Sequence, residues 1–281
     1  MKELHVTLID VGWGDSILIE SIDNQGTSHY GLIDSNDTSN IKSTYIFLKR
    51  FFEKKQMDLS KNKPVFEWVM LSHAHMDHGQ GLKYIMKYFG TKNFYYPKSL
   101  KWKGLATLIG YANRSSNVGF HQAIDNTKLL GKLGDVDLDI IWPMYNKPYD
   151  KNNENNNSIV LLLKLDSVSF VLTGDAEEEV WYKIAHKIPA DCKFFKVPHH
   201  GSENGTFDPI TGNSSYLKVL DQHGGSTILG ISSHLVPYGH PDISVITEFD
   251  QRGYIHLRTD ENHHLTFSTN GTRVDVKYSR I

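Results

Sequence analysis

The sequence predicts an α/β protein with two β-sheets face to face and helices on their outer faces. Strand patterns dominate both ends of the 281-residue chain, and helical patterns lie between them. Each half of the chain is mostly strand with a few helices, and neither an internal repeat nor a change in composition marks a boundary between the halves. A chain of this length buries a sizeable core as one domain or two, and the even pattern favours a single domain over residues 1–281.

The N-terminal half begins with short apolar strands around a glycine-rich turn. A helix with one apolar stripe follows, and then a strand leads to a second helix whose apolar residues recur at helical spacing and which ends at Gly90. The expected strands are 4–10, 15–20, 30–34, 66–71 and 94–96, and the expected helices are about 40–56 and 82–89. Residues 107–132 have a mixed pattern that a helix could explain.

The C-terminal half repeats this order of strands and helices. An Asn-rich turn over residues 152–157 leads into it. The expected strands are 158–165, 168–173, 193–197, 226–231, 264–268 and 273–278. One helix carries Val180, Trp181 and Ile184, and another is expected over about 241–251.

Charge and composition narrow the class of protein. The 30 Lys and Arg residues nearly balance the 32 Asp and Glu residues, so no global basic field indicates nucleic acid or an acidic membrane surface. A local groove can still be positive on a neutral protein. Cys192 is the single cysteine, which excludes an internal disulfide, and no segment reaches the roughly 20 apolar residues of a membrane span. The expectation is a cytoplasmic protein without a membrane segment, and the sequence identifies no protein partner.

The most informative segment is HAHMDH at residues 73–78. Its three imidazoles and one carboxylate are the ligand types that bind zinc-like ions near neutral pH. The segment lies between the strand 66–71 and the helix that starts at 82, a corner where side chains can point at one centre. A metal site is therefore favoured over a polar loop that is merely rich in histidine. The predicted ligands are His73, His75, Asp77 and His78.

Three further places in the chain carry side chains that could complete such a site. Asp175 ends an apolar strand, although an Asp after Gly is often only a helix N-cap. His199 and His200 end another strand, and which of the two is a ligand stays open. His240 precedes the expected helix at 241, where the helix N-terminus could help it meet an anion.

These segments resemble the metallo-β-lactamase superfamily, on the spacing of residues 73–78 and the later TGD at 173–175. The match is closer to one branch, the hydrolase domain of the competence protein ComEC and its free-standing relatives. The blocks that resemble this branch are DVGWGD at 10–15, LID at 32–34, NNSIVL at 156–161, KVPHHGS at 196–202 and YGHP at 238–241. They occur in the expected order, so the resemblance covers nearly the whole chain.

The resemblance implies a four-layer αββα sandwich of two mixed sheets, the metallo-β-lactamase fold, with two divalent ions, zinc or manganese, at one edge. It implies that His73 and His75 bind one ion and that Asp77 and His78 bind the other. By the same resemblance Asp175 bridges the two ions. One of His199 and His200 then completes the second site.

The resemblance also implies roles around the ions. Asp10 and Asp34 would accept hydrogen bonds from ligand histidines and orient them, and Asn157 and Ser202 would contact a ligand or the substrate. Asp77 and His240 would be catalytic, with His240 touching the scissile group or protonating the leaving oxygen.

One ligand departs from the pattern of the superfamily. Many members have a further histidine before the TGD strand, whereas this chain has none between His121 and His186. Glu154, one of residues 155–157 or a water would have to fill that place. Oxygen ligands favour harder ions, so this departure bears on the choice between zinc and manganese.

Three functions are compatible with these residues. The first is metal-dependent hydrolysis of phosphodiester bonds in nucleic acid or a nucleotide, as a nuclease or small-molecule phosphodiesterase. The second is hydrolysis of an ester, thioester or lactam, which the same superfamily supports. The third is a metal-binding regulatory module without turnover, which the missing histidine motivates and the retained ligands oppose. The natural substrate stays open.

Overall fold

Two mixed β-sheets form the centre of the computed structural model, which describes residues 2–98, 102–147 and 149–279. The strands in these residues are β1 (Glu3–Leu8), β2 (Ile17–Ile22), β3 (Ser28–Ile33), β4 (Phe66–Met70), β5 (Thr91–Tyr96), β6 (Val118–Ala123), β7 (Gly131–Leu133), β8 (Val136–Trp142), β9 (Val160–Leu165), β10 (Val168–Leu172), β11 (Cys192–Lys196), β12 (Ile228–Ile231), β13 (His256–Arg258), β14 (His264–Thr269) and β15 (Val274–Ser279).

Helices connect these strands. They are α1 (Ser43–Lys54), α2 (Met76–Gly79), α3 (Leu82–Phe89), α4 (Lys103–Ala112), α5 (Glu178–Ile184), α6 (Glu203–Thr206), α7 (Ser215–Gln222), α8 (Ile243–Arg252) and α9 (Thr259–Asn262). Short 3₁₀ turns cover Asn155–Asn157, Ala185–Lys187 and Pro198–Gly201. No helix in the described ranges is both long enough and apolar enough to cross a membrane.

Each sheet combines an antiparallel part with a parallel part. The first sheet has the order β15-β14-β1-β2-β3-β4-β5-β6, and its strands run parallel from β3 to β6. The second has the order β13-β12-β11-β10-β9-β8-β7 and is parallel from β10 to β13. Neighbouring parallel strands end on the same side, so the loops that follow β4, β10 and β11 can meet at one edge of the sandwich.

The strand sequences alternate between two buried faces, which produces the layers. In β4, Trp68 and Met70 belong to the core between the sheets, while Val69, which lies between them in sequence, packs under the outer helices. Phe194 of the second sheet stacks on a phenylalanine of the first, Phe267, with ring centroids 4.0 Å apart. The sheets therefore share one apolar interface, as the sequence predicted.

Helices cover both outer faces. Helix α3 buries Leu82, Ile85, Met86 and Phe89 against the first sheet, and α5 and α7 cover the second. Gly90 takes the left-handed backbone that ends α3, with a φ of 70°. The architecture is the predicted four-layer αββα sandwich.

The expectation that a helix spans residues 107–132 was wrong. Helix α4 ends at Ala112, and β6 then adds a parallel strand at the edge of the first sheet. The outward residues of β6 are exposed, so its sequence lacks the apolar alternation that marks an inner strand.

Candidate metal centre

The predicted ligands come together where three strands from two sheets end. Residues 73–78 follow β4, Asp175 follows β10, and residues 199–200 follow β11. The corner after β4 is short, because α2 begins at Met76 immediately after the extended residue His75. The imidazole of His73 is buried, and that of His75 is half-buried. The two rings are in contact, with His73 Nε2 and His75 Nδ1 3.0 Å apart.

Asp175 lies at the centre of the cluster and is 2% exposed. Its Oδ2 lies 3.2 Å from the Nε2 atoms of both His78 and His200. The same oxygen lies 3.8 Å from Nε2 of His73. Three imidazole nitrogens thus surround one carboxylate oxygen, the arrangement expected of a residue that bridges two ions.

The structure separates the roles of the two neighbouring histidines. Both have left-handed backbones, with φ values of 47° at His199 and 55° at His200. This sends the rings in different directions. His200 Nδ1 donates to the carbonyl oxygen of Ser232 at 2.9 Å, which leaves Nε2 facing Asp175. His199 lies beside Glu177 instead, with its Nδ1 3.4 Å from Oε1.

Within the described residues, three sets of side chains have the spacing of metal ligands, and the ligand atoms of each set lie no more than 4.8 Å apart. Two of the sets include predicted ligands only: His73, His78 and Asp175 form one, and Asp77, His78 and His200 form the other. The third, Asp15, Asp34 and His78, consists of His78 and two buried carboxylates. His75 adjoins the first set through its contact with His73.

The donor atoms at this centre fit divalent ions. Within the described residues, His78 Nε2, His200 Nε2, Asp175 Oδ1 and Asn155 Oδ1 are buried without a hydrogen-bond partner. A buried polar atom that stays unpaired costs about 1–3 kcal/mol. Imidazole nitrogens and carboxylate or amide oxygens are all ligands for zinc-type or harder ions, and binding would satisfy these atoms.

Hydrogen bonds behind the centre orient its ligands. Asp34 Oδ2 lies 2.7 Å from His78 Nδ1, and the other oxygen of Asp34 accepts from the amide of Ser72 at 2.7 Å. Burial disfavours charge on His78, but the carboxylates of Asp175, Asp77 and Asp34 outweigh it and raise the pKa of His78 well above its ordinary value. A bound cation would neutralise the negative charge of these carboxylates.

A buried ion pair lies behind the ligands. Lys196 is 0% exposed, and its Nζ lies 2.8 Å from Asp15 Oδ2. The other oxygen of Asp15 lies 3.7 Å from His200 Nδ1. Neither residue was among the predicted site residues. The sequence did contain a signal for the buried pair, because Lys196 is a single charged residue within the apolar run 194–197.

The turn 10–15 contributes by backbone contact. Gly14 has a φ of +90°, and a Cβ at this position would lie 2.3 Å from the carbonyl oxygen of Asp77. Only glycine allows this approach. The turn 10–15 therefore packs directly against the backbone of residues 73–78, which carry the predicted ligands.

An open cavity of about 350 Å³ lies above the centre. His75, Asp77, Asp175 and His240 are among the residues that line it. Nδ1 of His240 is buried without a partner among the described residues, and burial lowers the pKa of this imidazole. Trp13 and Tyr238 meet edge to face at the cavity, with ring centroids 5.4 Å apart.

Two residues with predicted roles at the centre, Asp10 and Asn157, make other contacts in the structure. Asp10 accepts from the amide of Gly12 and lies 3.6 Å from His263, so it does not orient a predicted ligand as Asp34 does. Asn157 closes its own turn by hydrogen bonds to Asp150. In both cases the conformation of the turn decides which partners the side chain can contact, and the spacing of residues in the sequence does not reveal that conformation.

Two further predicted roles involve helix caps in the structure. Ser202 caps α6, where its Oγ accepts from the amide of Gly205. Asp242 caps α8, where its carboxylate accepts from the amide of Ser244. The roles expected of Ser202 and of the helix N-terminus beside His240 stay predictions.

Comparison with known proteins places this chain near one bacterial protein. No protein-family model matches the chain. ComE operon protein 3 of Bacillus subtilis (strain 168) is 24% identical over 274 residues, which cover 93% of this chain and 32% of that protein. The chain thus spans about a third of the length of this curated relative.

Solved structures share the fold. CmlA, a diiron β-hydroxylase from Streptomyces venezuelae, aligns over 94% of this chain and 53% of its own with a TM-score of 0.52 and 12% identity. The isothiocyanate hydrolase from Delia radicum gut bacteria aligns over 94% of this chain and 100% of its own, also with a TM-score of 0.52 and 12% identity. The predicted metallo-β-lactamase fold and the resemblance to the ComEC-type domain are confirmed.

Proposed function

We propose that this chain is a metal-dependent hydrolase of phosphodiester bonds, with a nucleic acid or a nucleotide as its substrate. The convergence of imidazole and carboxylate atoms on Asp175, which lines an open cavity, carries the proposal. We propose zinc or manganese as the two ions and the cytoplasm as the location. Burial raises the pKa of the Cys192 thiol, which suits a structural role in a reducing compartment.

Two bound cations would supply a hydroxide at neutral pH and neutralise charge on the phosphoryl oxygens. The His73–His75 pair would hold one ion, and Asp77, His78 and His200 would hold the other. Asp175 would contribute to both.

Residues of the chain position the substrate and move its proton. Asp34 holds His78 by its Nδ1, so the ring presents Nε2 to the centre. His240 lines the cavity, and its Nδ1 has no partner among the described residues. We propose that it protonates the leaving oxygen once the negative charge of the bound substrate offsets the effect of burial on its pKa. Trp13 and Tyr238 offer aromatic surface on which a nucleobase can stack.

The direct test uses bis-p-nitrophenyl phosphate and single-stranded DNA with added manganese or zinc. Asp77→Ala and His75→Ala should each lower kcat/KM by at least about a hundredfold, since even outer partners of metal ligands are worth 10–100-fold. His186→Ala, at an exposed histidine, is the matched control. Equal activity in all four proteins would refute the proposal.

A second experiment isolates His240. p-Nitrophenolate leaves without help from an acid, whereas the alkoxide of a nucleotide needs a proton. His240→Gln should therefore reduce cleavage of DNA by about 10²–10⁴-fold and change cleavage of bis-p-nitrophenyl phosphate much less. An equal loss on both substrates would show that His240 does not act as the acid.

Acyl hydrolysis is the second candidate, because no Lys or Arg among the described residues lines the cavity to meet the charge of a phosphate. An ester, thioester or lactam carries no such charge at its reacting centre. If p-nitrophenyl acetate or a lactam is hydrolysed with dependence on Asp77 and no phosphodiester is, this candidate replaces the first. If metal binds and no substrate of either kind responds, the chain is a binding module.

A further inference from the structure

We propose that Asn155 is the third protein ligand of the ion held by His73 and His75, through its side-chain oxygen Oδ1. This inference rests on the proposed metal-dependent function. It also implies that the two ion sites differ, with the site at Asn155 taking a harder ion than the site at His200.

The orientation of the Asn155 amide is determined by its partner. Its Nδ2 donates to Glu177 Oε1 at 2.8 Å, and Asn204 donates to the same oxygen at 2.7 Å. An ionised carboxylate only accepts hydrogen bonds, so the amide nitrogen must face Glu177. The amide oxygen is then the free end. Asn155 is 9% exposed, and its Oδ1 is buried without a partner among the described residues.

The neighbouring side chains are already engaged. Glu154 Oε1 accepts from the amide of Ala74 at 3.4 Å. Asn156 Oδ1 accepts from the amide of Glu177 at 3.3 Å, and Asn157 Oδ1 accepts from that of Asp150 at 2.6 Å. Among residues 154–157, Asn155 is the one with a buried side-chain oxygen that lacks a hydrogen-bond partner in the described structure.

The turn that carries Asn155 is docked on the histidine corner. Glu154 bonds the amide of Ala74, which lies between His73 and His75. The amide of Ile159, just beyond the turn, donates to the carbonyl oxygen of Ser72 at 2.8 Å. Asn155 also lines the same cavity as His75. These contacts hold the turn of Asn155 against the segment that carries His73 and His75, and its unpartnered oxygen belongs to a side chain that lines the cavity with His75 and Asp175.

The chemistry of the amide explains why the two sites should differ. A neutral amide oxygen is a harder and weaker ligand for zinc than an imidazole nitrogen. The His73–His75 ion would therefore be held less tightly than its neighbour and would favour manganese relative to zinc. Replacement of Asn155 by His should reverse that preference.

Calorimetric titration of the metal-free protein with Mn²⁺ and with Zn²⁺ tests the proposal without any substrate. Asn155→Ala should weaken one of the two binding events at least about tenfold, because removal of even an outer partner of a metal ligand typically lowers metal affinity 10–100-fold. Asn204→Ala removes a hydrogen bond to the same Glu177 oxygen and should leave both events unchanged. Asn155→His should tighten the weaker Zn²⁺ event and restore two-ion binding.

Equal titrations for wild type and Asn155→Ala would overturn the proposal, and so would equal losses in Asn155→Ala and Asn204→Ala. Should Asn155→Ala fail to fold, Asn155→His decides, because an unchanged ratio of Zn²⁺ to Mn²⁺ affinity contradicts the inference. If the titrations give the expected results and no phosphodiester is cleaved, the assignment of Asn155 as a metal ligand holds and the proposed substrate class is refuted.

Discussion

The side chains of the centre are held by hydrogen bonds on the side that faces away from the cavity. His78 is held at Nδ1 by Asp34, His200 at Nδ1 by the carbonyl of Ser232, and Asn155 at Nδ2 by Glu177. Each contact leaves the other polar atom of the ring or amide without a partner among the described residues. If these residues bind ions as we propose, their side chains are already ordered, which reduces the ordering that binding requires.

The buried pair of Lys196 and Asp15 gives a prediction at this scale. Lys196→Met should lower the free energy of unfolding by about 3–5 kcal/mol, because it leaves the Asp15 carboxylate buried without its cation. Denaturant unfolding measures this change. Lys193→Met, on the same strand but partly exposed, should change stability by less than about 0.5 kcal/mol.

Asp15→Leu combined with Lys196→Met should recover much of the lost stability, since both charges of this pair are then absent. A loss for Lys196→Met no larger than that for Lys193→Met would contradict the assigned role of the pair.

At the scale of elements, the centre depends on short connections after strands. The corner after β4 presents its ligands within six residues, and the loop of Gly14 supports it from beneath. Loops that are this tightly packed hold their side chains more precisely than long ones. The site is accordingly sensitive to backbone changes at positions that never touch an ion.

Gly14→Ala tests this dependence. The added Cβ would meet the Asp77 carbonyl at 2.3 Å, so we expect the corner to shift and metal affinity to fall at least about tenfold. Gly12→Ala is a matched control, because Gly12 also has a positive φ, +77°, but a Cβ there meets nothing within 4 Å. Equal metal affinity in the two variants, measured by titration, would show that the contact is not needed.

The junction of α5 with α7 gives a pH prediction. Glu178 accepts from the amide of Ser215, the first residue of α7, at 2.9 Å. Burial raises the pKa of Glu178 from 4.5 to about 7. The folded state then holds a proton that the unfolded state has lost between about pH 4.5 and 7, so stability decreases as pH rises through this range.

Thermal unfolding across that range should show the effect as a falling midpoint in the wild type. Glu178→Gln should flatten that part of the profile, and Glu203→Gln, at an exposed position, should not. Parallel profiles for wild type and Glu178→Gln would refute the raised pKa.

Local pattern explains why most elements and the metal motif were predictable. Apolar periodicity identified β4 and α3, and residue chemistry identified the histidine corner. The distinction between His199 and His200 was not accessible, since it depends on two left-handed backbone positions. The contacts of Asp10 and Asp15 likewise depend on the conformation of a turn. The strand β6 could not be predicted because it lies at the edge of a sheet, where its sequence lacks an apolar pattern.

At the scale of the whole molecule, the sandwich brings ligands from both sheets to one edge. Residues 73–78 come from the first sheet, and Asp175 and His200 come from the second. The contact of Phe194 with Phe267 fixes the sheets against each other through the core. Neither sheet alone holds a complete site, so folding of the sandwich and formation of the centre are coupled.

The central claim is a centre for two ions in which His200, and not His199, is a ligand. The most direct measurement is the metal content of protein loaded with zinc or manganese and dialysed, by elemental analysis. We expect two ions per chain in the wild type and in His199→Ala, and about one in His200→Ala, because His200 Nε2 faces Asp175. A wild type without bound metal, or equal losses in the two variants, would contradict the account.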